Sequence, residues 1–145
     1  MQRFGFNSDT PGMTFMLPKG PLLGLGEGGV QFDKKGSTDQ MRNGKVTSQV
    51  DKYGLQIHGT RAPIQWLVGT DGWAVFIHQP YGQFDFTGTE GKFTPAPATP
   101  LPIDLFVVAS RDPLVIMREY ARITGLPEMP AMWTLGYMQS SRTLA

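Results

Sequence analysis

The chain has 145 residues, close to the usual size of one domain, and its 13 Lys and Arg balance 12 Asp and Glu to a formal charge of +1. This charge gives no reason to expect nucleic acid or an anionic membrane as partner, and the lack of cysteine excludes disulfides, thiolate metal sites and a cysteine nucleophile. The 18 Gly and 12 Pro exclude an all-helical bundle and favour short strands joined by tight turns.

The N-terminal part predicts two strands and a glycine-rich turn. Arg3–Phe6 and Met13–Leu17 have strand composition, and Asp9–Gly12 between them is typical of a turn. Gly24–Gly29 satisfies the spacing G-x-G-x-x-G, with Asp51 at the distance a dinucleotide site would need. No helical stripe follows these glycines, so we interpret them as a turn that another backbone approaches closely. A dinucleotide-binding oxidoreductase would rest on the glycines alone.

A long polar segment follows at Gln31–Gln49, with few apolar anchors. A loop of this length in a compact domain is usually functional or simply solvated, and the sequence leaves both alternatives open. At its centre, Arg42, Asn43 and Gly44 combine a fork of N–H donors, an amide and a tight turn. This combination can bind hydroxyl groups.

The middle of the chain predicts antiparallel strands. Leu55–His58, Ile64–Gly69 and Gly72–His78 are rich in β-branched and aromatic residues. Thr70–Gly72 joins the last two, and Asp-Gly between apolar runs is a strong hairpin signal.

The last third predicts a connector, a strand, a helix and another strand. Thr94–Pro102 holds four prolines and is expected to be extended, exposed and outside any ladder. Ile103–Ala109 is predicted to be a buried strand. Residues 113–124 are predicted to form the one helix, capped by Asp112 and ended by Gly125. Met132–Gln139 has strand composition.

Side chains that could carry chemistry are scattered. His58 and His78 are the only histidines, and without a local acidic cluster they make a poor metal site. A carboxylate pair for general-acid and nucleophile roles could assemble only in three dimensions. Several rings flank polar turns and could serve either as core or as platforms for sugars, with core the commoner role: Trp66, Trp73, Tyr81, Phe84 and Trp133.

A collinear series of motifs resembles glycoside hydrolase family 31, the α-glucosidases and α-xylosidases. These motifs run from about Pro21 to the last residue and are Leu23–Glu27, Phe32–Gly36, Met41–Gly44, Pro63–Leu67, Gly72–Gly82, Asp104–Val108, Tyr120–Gly125 and Pro130–Ser140.

The resemblance implies a mainly β fold with three parts. Residues 1–110 would be part of a β-sandwich similar to the galactose mutarotase-like N-terminal domain of that family. Residues 111–130 would be the linking helix and connector, and residues 131–145 the start of a catalytic (β/α)8 barrel, with its first strand at Trp133–Gln139. The two catalytic aspartates of the family would lie beyond Ala145, so this chain is expected to be inactive alone and to contain no catalytic residue.

The resemblance also implies a site and partners. Gln31–Gln49 matches a family loop that reaches the substrate, with Arg42 and Asn43 where many α-glucosidases have Arg-Asp. The expected partners are an α-glycoside or oligosaccharide and the rest of the barrel, with no cofactor or metal. Unpaired strand edges would also allow a homo-oligomer. No apolar run approaches the roughly 18 residues of a membrane-spanning helix. The alternative function is a non-catalytic carbohydrate-binding β-sandwich module.

Overall fold

A computed structural model of the chain describes residues 2–6, 12–27, 31–41, 44–45, 60–97 and 104–137. These residues form strands and a single α-helix, α1 (Pro113–Thr124), and the fold is therefore mainly β. The strands in chain order are β1 (Phe4–Phe6), β2 (Met13–Met16), β3 (Leu22–Gly24), β4 (Thr38–Met41), β5 (Gly44–Lys45), β6 (Thr60–Arg61), β7 (Trp66–Gly69), β8 (Trp73–His78), β9 (Gly82–Asp85), β10 (Glu90–Pro95) and β11 (Asp104–Val108).

Two antiparallel sheets enclose one apolar core. The first contains five strands in the order β1, β2, β10, β9, β4, and the second contains four in the order β11, β8, β7, β3. Phe15 of the first sheet meets Trp73 of the second edge to face, with ring centroids 6.0 Å apart. Phe84 and Phe93 of the first sheet and Leu67 and Val75 of the second belong to the same buried cluster. This arrangement is consistent with the predicted β-sandwich.

The two sheets differ in how many faces they bury. Strand β10 alternates exposed and buried residues along its whole length, as expected when one face of a sheet meets solvent. Strand β8 instead buries three consecutive residues, Trp73–Val75. The helix explains the difference, because Tyr120 of α1 packs on Trp66 and Phe76 at centroid distances of 4.8 and 5.9 Å.

The predicted helix is confirmed with its caps. The Leu114 N–H donates to Asp112 Oδ1 over 2.9 Å, and Gly125 ends the helix at φ 89°. Only Ile116 of the apolar stripe is buried, whereas Leu114 and Met117 are 73% and 52% exposed. The helix therefore lies on the second sheet by one narrow edge and leaves apolar side chains uncovered.

The predicted hairpin at Thr70–Gly72 is also confirmed. Strands β7 and β8 pair antiparallel, and Gly72 adopts φ 112° while its N–H donates to the Gly69 carbonyl over 3.1 Å. At the N-terminus, β1 and β2 pair antiparallel as predicted, but the turn at Asp9–Pro11 lies outside the described residues. The predicted strand Leu55–His58 also lies outside them.

The prediction that the proline-rich segment forms no ladder is wrong for its first two residues. Thr94 pairs with Gln83 and Pro95 with Gly82 at the end of β10. The Ala96 N–H donates to the Tyr81 carbonyl over 3.2 Å, so the nitrogen of Pro95 faces the opposite side of the strand. On that side the pairing with β2 has already ended at Phe93, and the missing N–H of proline therefore costs no ladder bond.

The prediction of a buried strand at Ile103–Ala109 is correct for the strand and wrong for its burial. Among the described strands, β11 pairs only with β8, at the edge of its sheet. Phe106 and Val107 are 40% and 50% exposed. An edge position leaves this apolar strand partly uncovered on both faces.

The predicted strand at Met132–Gln139 is replaced, in its first four residues, by a short 3₁₀ helix at Met132–Leu135. The N–H and the hydroxyl of Thr134 both donate to the Ala131 carbonyl, over 2.9 and 2.7 Å. A strand needs a partner strand, and no described strand pairs with this segment, so local bonds satisfy its backbone instead. Residues from Met138 onward lie outside the described part of the chain.

Candidate functional site

The glycine-rich turn follows β3 in the chain and contacts β7 at Trp66. Gly24, Leu25 and Gly26 all have positive φ, at 115°, 67° and 73°. The Leu25 N–H donates to the Trp66 carbonyl over 2.9 Å, and a Cβ on Gly24 would overlap that carbonyl oxygen. The interpretation of these glycines as a turn with a close backbone approach is therefore confirmed for the described residues Gly24–Glu27.

The described part of the polar segment at Gln31–Gln49 is more ordered than a solvated loop. Its described part contains a turn fixed by Asp33, whose carboxylate accepts the N–H groups of Leu22 and Lys35 over 3.0 and 3.1 Å. Strand β4 follows and pairs with β9 at the edge of the five-stranded sheet. The long-loop prediction is wrong for Thr38–Met41, because alternate residues of this polar sequence, Asp39 and Met41, are buried.

A buried ion pair joins the turn to β4. The Lys34 ammonium lies 3.7 Å from Asp39 Oδ2, and the two side chains are only 6% and 5% exposed. The Lys34 N–H also donates to the Leu22 carbonyl over 2.8 Å, which attaches the turn to β3 in the opposite sheet. The Lys34–Leu22 hydrogen bond and the pairing of β4 with β9 therefore attach the segment that precedes Arg42 to both sheets.

The carboxylates of Asp33 and Asp85 make the folding stability of the protein depend on pH in the acidic range. Hydrogen bonds from the Leu22 and Lys35 N–H groups hold the pKa of Asp33 below its usual value of 3.8, and the hydroxyl and N–H of Thr87 do the same for the pKa of Asp85. Because the folded pKa is the lower one, this stability is present above the unfolded pKa and is lost as the pH falls through the folded pKa.

We expect the urea midpoint to fall as the pH is lowered below about 4, near the pKa of an unfolded Asp. In the double variant Asp33→Asn with Asp85→Asn, the midpoint should be lower at pH 6 and should change less between pH 4 and 3. Equal slopes in the parent chain and the variant would contradict this assignment.

The predicted substrate contacts Arg42 and Asn43 lie outside the described residues, between Met41 of β4 and Gly44 of β5. The chain beyond them is anchored, since β5 pairs with β6, with Gly44 opposite Arg61. A single bridge between Glu27 and Ala62 then joins the residue after β6 to the glycine-rich turn. The base of the predicted substrate loop is thus fixed on both sides.

A cleft of about 680 Å³ lies beside the end of β4. We call it the Tyr81 cleft; it is lined by Gln40, Met41, Pro80–Gln83 and Thr94–Pro97. Tyr81 is 53% exposed, and its backbone is held because Gln65 donates to the Pro80 carbonyl over 2.8 Å while Ala96 donates to the Tyr81 carbonyl.

A second cleft of about 630 Å³, the helix cleft, lies between the glycine-rich turn and α1. Its walls are Trp66 and Tyr120 in ring contact, Met117, Ile64 and the 81% exposed Phe32. Trp66 Nε1 is buried and has no hydrogen-bond partner among the described residues. This cleft is predominantly apolar, with Lys34 and Gln31 as polar members.

The other predicted candidates separate into core and surface. Trp66, Trp73 and Phe84 are buried, as the core interpretation predicts, whereas Tyr81 and Trp133 are 53% and 83% exposed. His78 lies 3.4 Å from Asp104 at an exposed strand end, and His58 lies outside the described residues. Within the described ranges, no group of three or more His, Asp or Glu side chains could hold a metal ion.

Sequence analysis missed the polar side chains of the Tyr81 cleft. Gln40, Gln83 and Thr94 are exposed and lie directly opposite one another on β4, β9 and β10. The alternation of polar and apolar residues in each strand was a signal for their common orientation. Their register, however, depends on pairing between segments far apart in the chain.

Comparison of the chain with models of known protein families gives no match, and comparison with curated proteins gives none either. No helix in the described residues is long and apolar enough to span a membrane.

Proposed function

We propose that this chain is the sandwich part of a retaining α-glycosidase that hydrolyses terminal non-reducing α-linked sugars in carbohydrate metabolism. Of the two activities that the resemblance implies, we propose α-glucosidase rather than α-xylosidase. The sandwich would resemble the galactose mutarotase-like domain of glycoside hydrolase family 31, and residues 131–145 would begin the catalytic barrel. In this proposal the chain shapes the substrate site through Arg42 and Asn43, and the catalytic carboxylates belong to the rest of the polypeptide.

The observation that carries the proposal is the anchored base of the loop that contains Arg42 and Asn43. A buried ion pair and the pairing with β9 hold β4 before these residues, and the pairing of β5 with β6 holds the chain after them. Well-anchored supports reduce the cost of ordering a binding loop around its ligand. Such a loop is suited to bring a guanidinium and an amide to sugar hydroxyls.

A second observation supports a neighbouring domain. Beyond α1, several large apolar side chains are at least two-thirds exposed: Leu126, Met129, Met132, Trp133, Leu135 and Tyr137. Leu114 and Met117 of the helix are exposed as well. Apolar groups concentrated in one segment mark a surface that another part of a protein covers. A catalytic barrel that follows this chain in the same polypeptide would cover it.

The chemistry that the proposal assigns to the whole protein needs two carboxyl groups. One attacks the anomeric carbon as the other protonates the leaving oxygen, and water then resolves the glycosyl-enzyme with retention of configuration. The guanidinium of Arg42 would donate to hydroxyls of the sugar beyond the bond that breaks, and the Asn43 amide would both donate and accept. These contacts would orient the leaving group without taking part in proton transfer.

The test compares the 145-residue chain with the polypeptide encoded by the complete reading frame that contains it. We expect the longer product to hydrolyse aryl α-glucosides with retention at the anomeric carbon and the 145-residue chain to show no turnover. Hydrolysis by the 145-residue chain would show that the catalytic acids are misassigned. A longer product that lacks activity on aryl α-glucosides, α-xylosides and α-galactosides would refute the glycosidase proposal.

The loop variants Arg42→Ala and Asn43→Ala test the substrate role in the same enzyme. Each should lower kcat/KM by roughly tenfold, which corresponds to the loss of one or two hydrogen bonds to a bound sugar. Lys19→Ala, at an exposed bend between β2 and β3, is the control and should leave kcat/KM unchanged. Loop variants with the same kcat/KM as the control would exclude Arg42 and Asn43 as substrate contacts.

A non-catalytic carbohydrate-binding module is the second candidate function, and the Tyr81 cleft favours it. An exposed ring beside three uncharged hydrogen-bonding side chains could bind a glycan without any catalytic group. This candidate predicts saturable glycan binding by the 145-residue chain and no hydrolysis by the product of the complete reading frame.

A further inference from the structure

We infer that the Tyr81 cleft binds a neutral oligosaccharide, with the Tyr81 ring as the platform for one sugar ring and Gln40, Gln83 and Thr94 as hydrogen-bonding partners of its hydroxyls. The inference rests on the carbohydrate part of the proposed function and holds for both candidates there. It adds a site on the five-stranded sheet, where the exposed residues of β4, β9 and β10 meet.

The three polar side chains of the Tyr81 cleft lie on one face of the five-stranded sheet. Gln83 lies opposite Gln40 on one side and Thr94 on the other, so the three form one row across β4, β9 and β10. Tyr81 directly precedes β9 and lines the same cleft as these three side chains. The row spans about 10 Å across three neighbouring strands, the scale of one or two sugar rings.

The backbone that carries the Tyr81 ring is rigid. The carbonyls of Pro80 and Tyr81 accept hydrogen bonds from Gln65 and Ala96, from two different parts of the chain. Pro80, Pro95 and Pro97 line the same cleft and restrict its backbone further. A ring fixed before binding loses little conformational freedom when a ligand stacks on it.

The polar residues of the Tyr81 cleft and of the adjacent row carry no net charge. Gln40, Gln83 and Thr94 are uncharged amides and a hydroxyl, which offer both donors and acceptors. In the adjacent row, Lys92 lies opposite Asp85, whose carboxylate also accepts the N–H and hydroxyl of Thr87. These opposite charges compensate each other, so the face favours a neutral polyhydroxylated ligand over an anion or a cation.

The experiment measures binding of maltotriose to the 145-residue chain by calorimetry, with trigalacturonate of the same length as an anionic comparison. Tyr81→Ala and Gln83→Ala should each weaken maltotriose binding by roughly tenfold, a typical effect of removing one contact residue. Tyr81→Trp should retain binding, because it keeps an aromatic face. Thermal unfolding of each variant shows that it is folded, and Tyr81 and Gln83 are exposed enough for truncation to be tolerated.

Phe32→Ala is the matched control, because Phe32 is an exposed ring in the helix cleft. It should leave maltotriose binding unchanged. Loss of binding in Phe32→Ala but not in Tyr81→Ala would move the sugar to the helix cleft and overturn the inference. Absence of maltotriose binding, or tighter binding of trigalacturonate, would overturn it as well. A hydrolytic activity that depends on Arg42 would stand in either case, so the two proposals can fail separately.

Discussion

Replacing Asp39 by Ala should lower the free energy of unfolding by about 3 kcal/mol, because the variant leaves the Lys34 ammonium buried without this counter-charge. The two groups are 3.7 Å apart, and both side chains are almost fully enclosed. A buried charge that loses its partner pays its desolvation cost without the compensating attraction. The measurement is urea unfolding at pH 7, followed by far-UV circular dichroism.

The control for Asp39→Ala is Asp104→Ala, which breaks an exposed pair. Asp104 and His78 are 3.4 Å apart, but their side chains are 64% and 67% exposed. Its loss should cost less than about 1 kcal/mol. The double variant Asp39→Asn with Lys34→Met should recover most of the lost stability, since it removes both charges and nearly keeps the two side-chain volumes. Similar losses in Asp39→Ala and Asp104→Ala would show that the buried pair has no special weight.

Replacing Gly24 by Ala should lower the free energy of unfolding by about 3 kcal/mol, for two combined reasons. Its φ of 115° lies outside the range that an L side chain adopts readily. A Cβ there would also overlap the Trp66 carbonyl oxygen and lie 3.3 Å from the Cα of Leu67. Backbone atoms cannot rotate away as a flexible side chain can, so the sheet pairing of β3 with β7 must separate.

The variant Gly36→Ala distinguishes the conformational penalty of a positive φ from the steric overlap of a Cβ. Gly36 also has a positive φ, 78°, but a Cβ at this position would meet nothing within 4 Å. Its substitution should therefore cost only the conformational penalty, about 1 kcal/mol. A Gly24 variant as stable as the Gly36 variant would mean that the strands can move apart at little cost, against the close packing of the core around Leu22 and Leu67.

Short-range sequence signals correctly predicted the helix and the hairpin, whose formation depends on neighbouring residues. The helix at Pro113–Thr124 follows from an N-cap, a proline in the first turn and a C-terminal glycine, all of which act within a few residues. The hairpin at Thr70–Gly72 follows from the positive φ that its glycine tolerates. Strand β4 was missed because Thr38–Met41 is polar, and it becomes a strand only through pairing with β9, more than forty residues along the chain.

The candidate site residues also differ in whether short-range sequence signals could predict them. The sequence named Arg42, Asn43 and Tyr81 from their residue types, but it could not bring Gln40, Gln83 and Thr94 into one row. Their meeting depends on the register of three strands, which is fixed by the burial of the apolar residues that alternate with them. Met132–Leu135 shows the opposite case, since strand composition without a partner strand yields a 3₁₀ helix in the described structure.

By itself, the sequence determined the β-rich class, the hairpin and the helix, because turns and caps depend on steric and hydrogen-bonding preferences of neighbouring residues. Only the tertiary structure decided which polar residues are buried and which share a surface. The burial of Lys34 with Asp39 and the row beside Tyr81 arise from contacts between distant segments, and no local pattern specifies those contacts.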